Sequence, residues 1–313
     1  MRPRRGTAVA IALLAAAFAT AGCGLGAGED VGEVSLTVTR DYGAEPVLAP
    51  LADQASESDT VMRVLERDAD ISTRYGGGFV HSIDGLEADE RFGRSFDWFF
   101  YVNGVESTVG AADYPLHGGE AIWWDYRDWS AAMRAPAVVG SWPEPFVHGY
   151  DGRQRPVAIQ CLGGGAACGV VRDALAGVGV DTEPESGVDS EPDSAPDAIR
   201  VLVGPWARLR RDPAAAQIED GPQASGVFAD FEGGGPGARL VGLGVDGKPA
   251  LTFGPGAGLV AATRRYDAPP TWLVTGVDRT GVEAAAELLD RADLRNAYAV
   301  AIEDGEETPL PVR

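Results

Sequence analysis

Polar and apolar residues alternate through Glu33–Arg40 (EVSLTVTR), which predicts a half-buried strand. A helix is predicted over Thr60–Arg67: Val61, Val64 and Leu65 share one face, and Ser58 or Asp59 can cap it. Strands follow at Ile71–Tyr75, Gly78–Ile83, Phe96–Val102 and Ala121–Tyr126. Asp84-Gly85 marks a turn and Asn103-Gly104 a tight hairpin. One helix among several strands, without strand–helix–strand alternation, predicts a small α+β sheet-plus-helix domain over residues 33–129.

Residues 130–156 are Pro-rich and irregular and read as a linker. From Val157 the pattern changes. Strands are expected at 157–160, Ile199–Val203, Thr271–Thr275 and Tyr298–Ile302. Helices are expected at Gly169–Gly177, Ala257–Arg264 and Thr280–Leu289, with a hairpin at Asp246-Gly247. This alternation predicts an α/β sandwich over 157–313. Residues 181–197 interrupt it with seven acidic residues, no basic ones and three prolines, the composition of a disordered acidic insertion.

The chain begins with Arg2, Arg4 and Arg5, a short apolar run from Val9 to Phe18, and Thr20-Ala21-Gly22-Cys23. That is the order of a secretory signal, and the run is shorter than the ~20 residues that span a bilayer. The Ala21-Gly22-Cys23 junction resembles the bacterial lipobox. The resemblance implies a signal peptide of residues 1–22, a lipid such as palmitate on Cys23, and a tether over 23–32. It places the mature protein on the extracytoplasmic face of the cell membrane, held there by its anchor. The alternative is a plain signal peptide cut near Ala21, leaving Cys23 free.

Composition narrows the partners. Net charge is −21, and removal of the signal arginines takes it to about −24. Such a surface repels nucleic acid, so no nucleic-acid partner is expected. Hydrophobic residues at 45% suffice for packed cores, and the length suits two domains. Cys161 and Cys168 flank a flexible Leu-Gly-Gly-Gly-Ala-Ala stretch. Outside the cytosol a structural disulfide is the natural reading; two buried thiols or half a metal site are the alternatives. The six-residue gap exceeds zinc spacing and no histidine is near, so no metal is expected.

The most informative stretch runs from Phe79 to Trp129. It holds Val80-His81-Ser82-Ile83-Asp84-Gly85-Leu86, then Trp98-Phe99-Phe100-Tyr101-Val102-Asn103-Gly104. Gly110, Ala111 and Tyr114 follow, and then Gly118-Gly119-Glu120-Ala121-Ile122-Trp123-Trp124. This order resembles the small C-terminal domain of transcobalamin and intrinsic factor, the vitamin B12 carriers, and its bacterial relatives. The resemblance covers about residues 33–129. It implies a helix packed on a small sheet, and cobalamin as a ligand that an uptake transporter would receive. The helical barrel that completes the carriers' site has no counterpart in this sequence.

Read from the residues alone, Trp98 and Phe99 must face opposite sides of their strand, as must Trp123 and Trp124. One face is core. The other is covered by a ligand, a partner or the second half of the chain. Tyr101, Tyr114 and Trp124 are the candidates for contact with a flat or cyclic ligand, cobalamin-like or a sugar, held by stacking. The other reading places every aromatic in a core or interface, which makes the protein a cell-surface scaffold with no small ligand.

No catalytic set is present: there is no His-Glu-x-x-His and no nucleophile elbow. His81 beside Ser82 and Asp84 lacks an oxyanion loop and reads as a strand-edge residue. The carrier resemblance implies His117, in the turn over residues 114–119, as a remote candidate for a cobalt ligand; read from the residues it is a solvated turn residue. Gly254–Gly258 mimics a phosphate cradle but lacks the lysine and Ser/Thr of a P-loop. The expectation is a non-enzymatic, exported, lipid-anchored binding protein without a cofactor.

Overall fold

The computed structural model describes residues 28–183, 197–233, 237–289 and 294–313. Cys23 and most of the acidic stretch 181–197 lie outside them. The predicted α+β and α/β classes are corrected: the chain is mostly β, 41% strand against 17% helix, in several sheets.

The first sheet is built from β1 (Asp30–Arg40), β2 (Glu45–Pro46), β3 (Leu51–Ser56), β7 (Asp89–Arg91), β8 (Arg94–Val102), β9 (Val105–Glu106) and β10 (Ala121–Asp128). Its path is β2-β1-β10-β8-β7, with β3 on β1 and β9 on β8. β1 and β10 run parallel, Leu36 opposite Ile122 and Val38 opposite Trp124. A hairpin layer of β4 (Ile71–Arg74), β5 (Phe79–Ile83) and β6 (Leu86–Glu87) adds three strands. Among the described residues of this side, α1 (Val61–Asp68) is the α-helix, with a single 3-10 turn at Tyr75–Gly77. Its N-cap is Thr60, whose side chain accepts the Arg63 N–H at 3.3 Å. Asp59, expected as a cap, instead accepts the Ser56 N–H at 2.8 Å and pairs with Arg67.

Strand alternation sorts the first sheet's faces as expected. Leu36, Val38, Trp98, Ile122 and Trp124 join α1's Val61, Val64 and Leu65 in one core. Tyr101 and Trp123 point the other way, into a core they share with the rest of the chain.

That remainder centres on a second seven-stranded sheet. Its strands are β11 (Val157–Cys161), β12 (Thr182–Glu183), β13 (Ile199–Pro205), β17 (Gly258–Thr263), β18 (Thr271–Gly276), β19 (Ala299–Glu303) and β20 (Glu306–Leu310). The order is β12-β11-β13-β18-β17-β19-β20. β12, β11, β13 and β18 run parallel; the other neighbours are antiparallel. α2 (Ala167–Gly177) and α3 (Arg279–Glu287) cover one face through Val171, Leu175, Val282 and Ala285. The other face carries no helical layer of similar length. It packs on a three-stranded sheet, β14 (Ala229–Glu232), β15 (Arg239–Leu243) and β16 (Pro249–Phe253), and on the aromatic face of the first sheet. This is why the sandwich expectation fails: the long helices line one side, and the other side meets only short helical turns such as Trp206–Leu209 beside strands.

One predicted helix, Ala257–Arg264, is strand β17, and every residue from Gly258 to Thr263 is buried. A run of small apolar residues enclosed on both faces carries no period that separates strand from helix. Residues 130–156 are not an exposed connection. Ala132, Ala135 and Val138 enter one core and Trp142, Phe146 and Tyr150 the other. Cys161 and Cys168 are bonded, with Cα atoms 6.0 Å apart, tying the end of β11 to the first turn of α2.

Candidate functional site

The face of the first sheet opposite α1 holds a buried polar network. Asp125 Oδ1 accepts from Thr39 Oγ1 at 2.6 Å and from the Gly43 N–H at 3.0 Å. The Tyr298 hydroxyl donates to Asp125 Oδ2 at 3.0 Å, and the Tyr101 hydroxyl donates to Tyr298 at 3.1 Å. The Trp123 indole donates to Thr39 at 2.8 Å. Burial is the main cause that pushes the Asp125 carboxyl up to about 6, against the hydrogen bonds that favour its charged form. Arg127, two residues along the same face, donates to the carbonyls of Ala132 and Met133. Its guanidinium lies 3.7 Å over the Phe99 ring. The Tyr298–Asp125 and Tyr101–Tyr298 bonds join the two halves.

The opening lies beside this network. A cleft of about 650 Å³ is bounded by Ser35, Thr37 and Trp123 of the first sheet, Trp142, Glu144 and His148 of the intervening segment, and Asn296. That size is within the range of small-molecule sites. Glu144 is 5% exposed. It accepts the His148 N–H at 3.0 Å, and its Oε1 lies 2.5 Å from His148 Nδ1. Burial outweighs the His148 hydrogen bonds that oppose it and raises the Glu144 carboxyl above its ordinary range. The His148 ring rests on the Gly119 backbone, where a Cβ would come within 2.3 Å of Nε2; Gly119 also has φ +84. Only glycine fits there.

The three aromatic candidates do not form one binding face. Tyr101 is fully enclosed against Tyr298 and Trp123. Trp124 is on the opposite face, packed with Phe100 in the α1 core. Tyr114 is in that core too, and its hydroxyl donates to Glu120 at 3.2 Å. All three are 3% exposed or less. Alternation separated Trp98 from Phe99 and Trp123 from Trp124, but the expectation grouped Trp124 and Tyr114 with Tyr101, whereas both lie in the α1 core and the face that holds Tyr101 is covered by the second half of the chain.

Residues 58–128 match the model of a domain of unknown function, DUF4430. The match runs from just before α1 to the end of β10. It leaves out β1, which lies between β2 and β10 in the sheet. No curated protein matches the chain. Among solved structures, the chain is similar to a protein of Ruminococcus gnavus provisionally described as metal binding. Identity is 17%, coverage is 31% of this chain and 97% of that one, and the TM-score is 0.24.

Among the described residues, no group of three His, Cys, Asp or Glu side chains is arranged to hold a metal ion. His117 lies 3.4 Å from Glu120, a two-residue pair. His81 Nε2 is 2.8 Å from Arg74 and stands on no triad. Gly254–Gly258 is the turn into β17, with the Gly256 N–H given to Asp278. The sequence reading missed Glu144, His148 and Asn296. The spacing of Glu144 and His148 was visible, but nothing in the sequence brings Trp123 and Asn296 to them. Among the described residues no helix is long and apolar enough to cross a membrane.

Proposed function

We propose that this is a non-enzymatic binding protein of the extracytoplasmic membrane face, anchored through Cys23, with its ligand site in the cleft between the first sheet, the intervening segment and Asn296. The observation that supports this is the cleft of about 650 Å³ beside Trp123, Trp142 and the Glu144–His148 pair. The lining offers apolar edges and a few fixed polar groups, the composition of a small-molecule site. It contains no nucleophile held by a base.

A transcobalamin-like ancestry for the first half and delivery to a membrane transporter remain part of this reading. Stacking of a corrin on Tyr101, Tyr114 and Trp124 does not, because those rings are enclosed. The test is a titration with cobalamin, cobinamide and a sugar panel, following the indole N–H resonances of Trp123 and Trp142. Saturable shifts at those two indoles are expected, lost when Ser141, which lines the cleft beside Trp142, is replaced by tryptophan to fill it. A full panel without any saturable shift would remove the ligand-binding reading.

The second reading is a surface scaffold. Tyr75 is 88%, Phe92 99% and Tyr266 85% exposed, each at a turn. Tyr75 stands edge-on to the partly exposed Phe79, and Arg265 lies over Tyr266, so these rings are offered at the surface where a protein partner could meet them. Crosslinking in intact cells separates the readings: a crosslinked partner lost on replacing these three rings favours the scaffold.

A further inference from the structure

A second, smaller pocket lies on the other side of the first sheet. β7 pairs with β8 over residues 94–96, and β9 pairs with it at Tyr101 and Val102. Between them, no described strand pairs with residues 97–100 of β8 on that edge. The gap opens into a cavity of about 180 Å³ beneath the tip that joins β4 to β5. Phe79, Val80, Trp98, Phe100 and Trp124 supply its walls, and Asp97 and Glu106 its polar end.

The polar atoms here are incompletely used. Arg134 reaches Glu106 Oε1 at 3.1 Å, while Glu106 Oε2 is buried without a partner. Asp97 Oδ1 accepts the Trp98 N–H at 2.8 Å; His81, Arg74 and Arg127 act on its charge from a distance, none of them in a direct ion pair with it. The nearby cations are directed elsewhere: Arg74 to His81, and Arg127 to the carbonyls of Ala132 and Met133. Trp124 is 2% exposed and its indole N–H also lacks a partner. Buried polar atoms left unpaired carry a free-energy cost that a ligand can relieve. Aromatic walls next to a carboxylate that lacks a direct ion pair favour a cation over a neutral molecule of the same shape.

We propose that this pocket binds a small organic cation, a primary ammonium on a short body. Its N–H groups meet Asp97 and Glu106, and its carbon atoms lie against the rings. A hydroxyl on the ligand would serve the Trp124 N–H, so short amino alcohols should bind better than alkylamines of equal length. This site is separate from the junction cleft and does not depend on it.

The test uses the full chain with labelled tryptophan indoles. Ethanolammonium, n-propylammonium and neutral 1-propanol are titrated in turn. Saturable shifts at Trp98 and Trp124 are expected with both ammonium probes, with 1-propanol at least about tenfold weaker. Asp97→Asn should weaken the ammonium probes by about tenfold or more. Phe79→Ala, at the partly exposed rim, should weaken them by about two- to fivefold and covers the case in which Asp97→Asn does not fold. Equal affinity for 1-propanol and n-propylammonium, no saturable shift, or unchanged binding in folded Asp97→Asn would overturn the proposal. Shifts confined to Trp123 and Trp142 would also overturn it, by assigning the amine to the junction cleft.

Discussion

The Tyr298 hydroxyl donates to Asp125 across the junction of the two sheets at 3.0 Å, joining residues 173 positions apart in the chain. Both are fully enclosed. The bond places a carboxylate where the sequence suggested a flat ligand, and its consequences are testable.

Asp125 makes stability depend on pH. Its carboxyl titrates near 6 in the folded chain, against an ordinary value of 3.8. Between those values the folded state holds a proton that the unfolded state has released. The stabilisation is therefore fully present below about pH 4 and is lost as pH rises through 6, amounting to at most about 3 kcal/mol. Asp125→Asn should remove this component. Urea midpoints measured from pH 4 to 7 should fall less steeply in the variant. An identical slope in both proteins would show that Asp125 is not the group responsible.

Tyr298→Phe leaves Asp125 Oδ2 and the Tyr101 hydroxyl each without a partner. A loss of about 1–3 kcal/mol is expected. The double variant Tyr101→Phe/Tyr298→Phe should cost less than the sum of the two single changes, because each removes an end of the same bond. Chemical denaturation of the four proteins decides it; strict additivity would mean that the hydroxyls do not interact.

Arg127→Lys should not be conservative. The guanidinium serves two carbonyls while lying flat on Phe99. A lysine cannot keep that fork and plane, and it would leave acceptors unmet in a closed core. The expected cost is about 2–4 kcal/mol, read as a drop in melting temperature. A variant as stable as the parent would contradict the buried placement.

Gly43 is where β1's end meets the second half. Its φ is +81, and a Cβ there would come within 1.8 Å of the Asn296 carbonyl oxygen. Gly43→Ala should strain both the turn and the junction, at about 3 kcal/mol or more. Limited proteolysis should then cut near residues 130–156. Resistance equal to the parent's would show that the halves tolerate a wider spacing.

The disulfide and the anchor are separable by mass spectrometry. Non-reduced peptide mapping should recover Cys161 joined to Cys168, and the N-terminal peptide of cell-derived protein should carry acyl chains on Cys23. Closure of so short a loop should contribute about 2–3 kcal/mol at most. Free thiols at 161 and 168, or an unmodified Cys23, would each refute one part alone.

The sequence by itself determined the local elements whose signals are short-range. The 3.6-residue spacing of Val61, Val64 and Leu65 specified α1, and Asn103-Gly104 specified the β8–β9 turn. The two-residue period told Trp98 from Phe99 and Trp123 from Trp124. What lies opposite each face is set by contacts between residues far apart in the chain, and only the tertiary structure decided it. β1 pairs parallel with β10 across more than 80 residues, a partnership that no local pattern encodes. β17 read as a helix because burial on both faces removes the period. Tyr101 read as a ligand platform because nothing near it in sequence announces Tyr298. Glu144, His148 and Asn296 are brought beside Trp123 only when residues 130–156 fold into the two cores, since the hydrophobic effect rewards burial without regard to sequence distance.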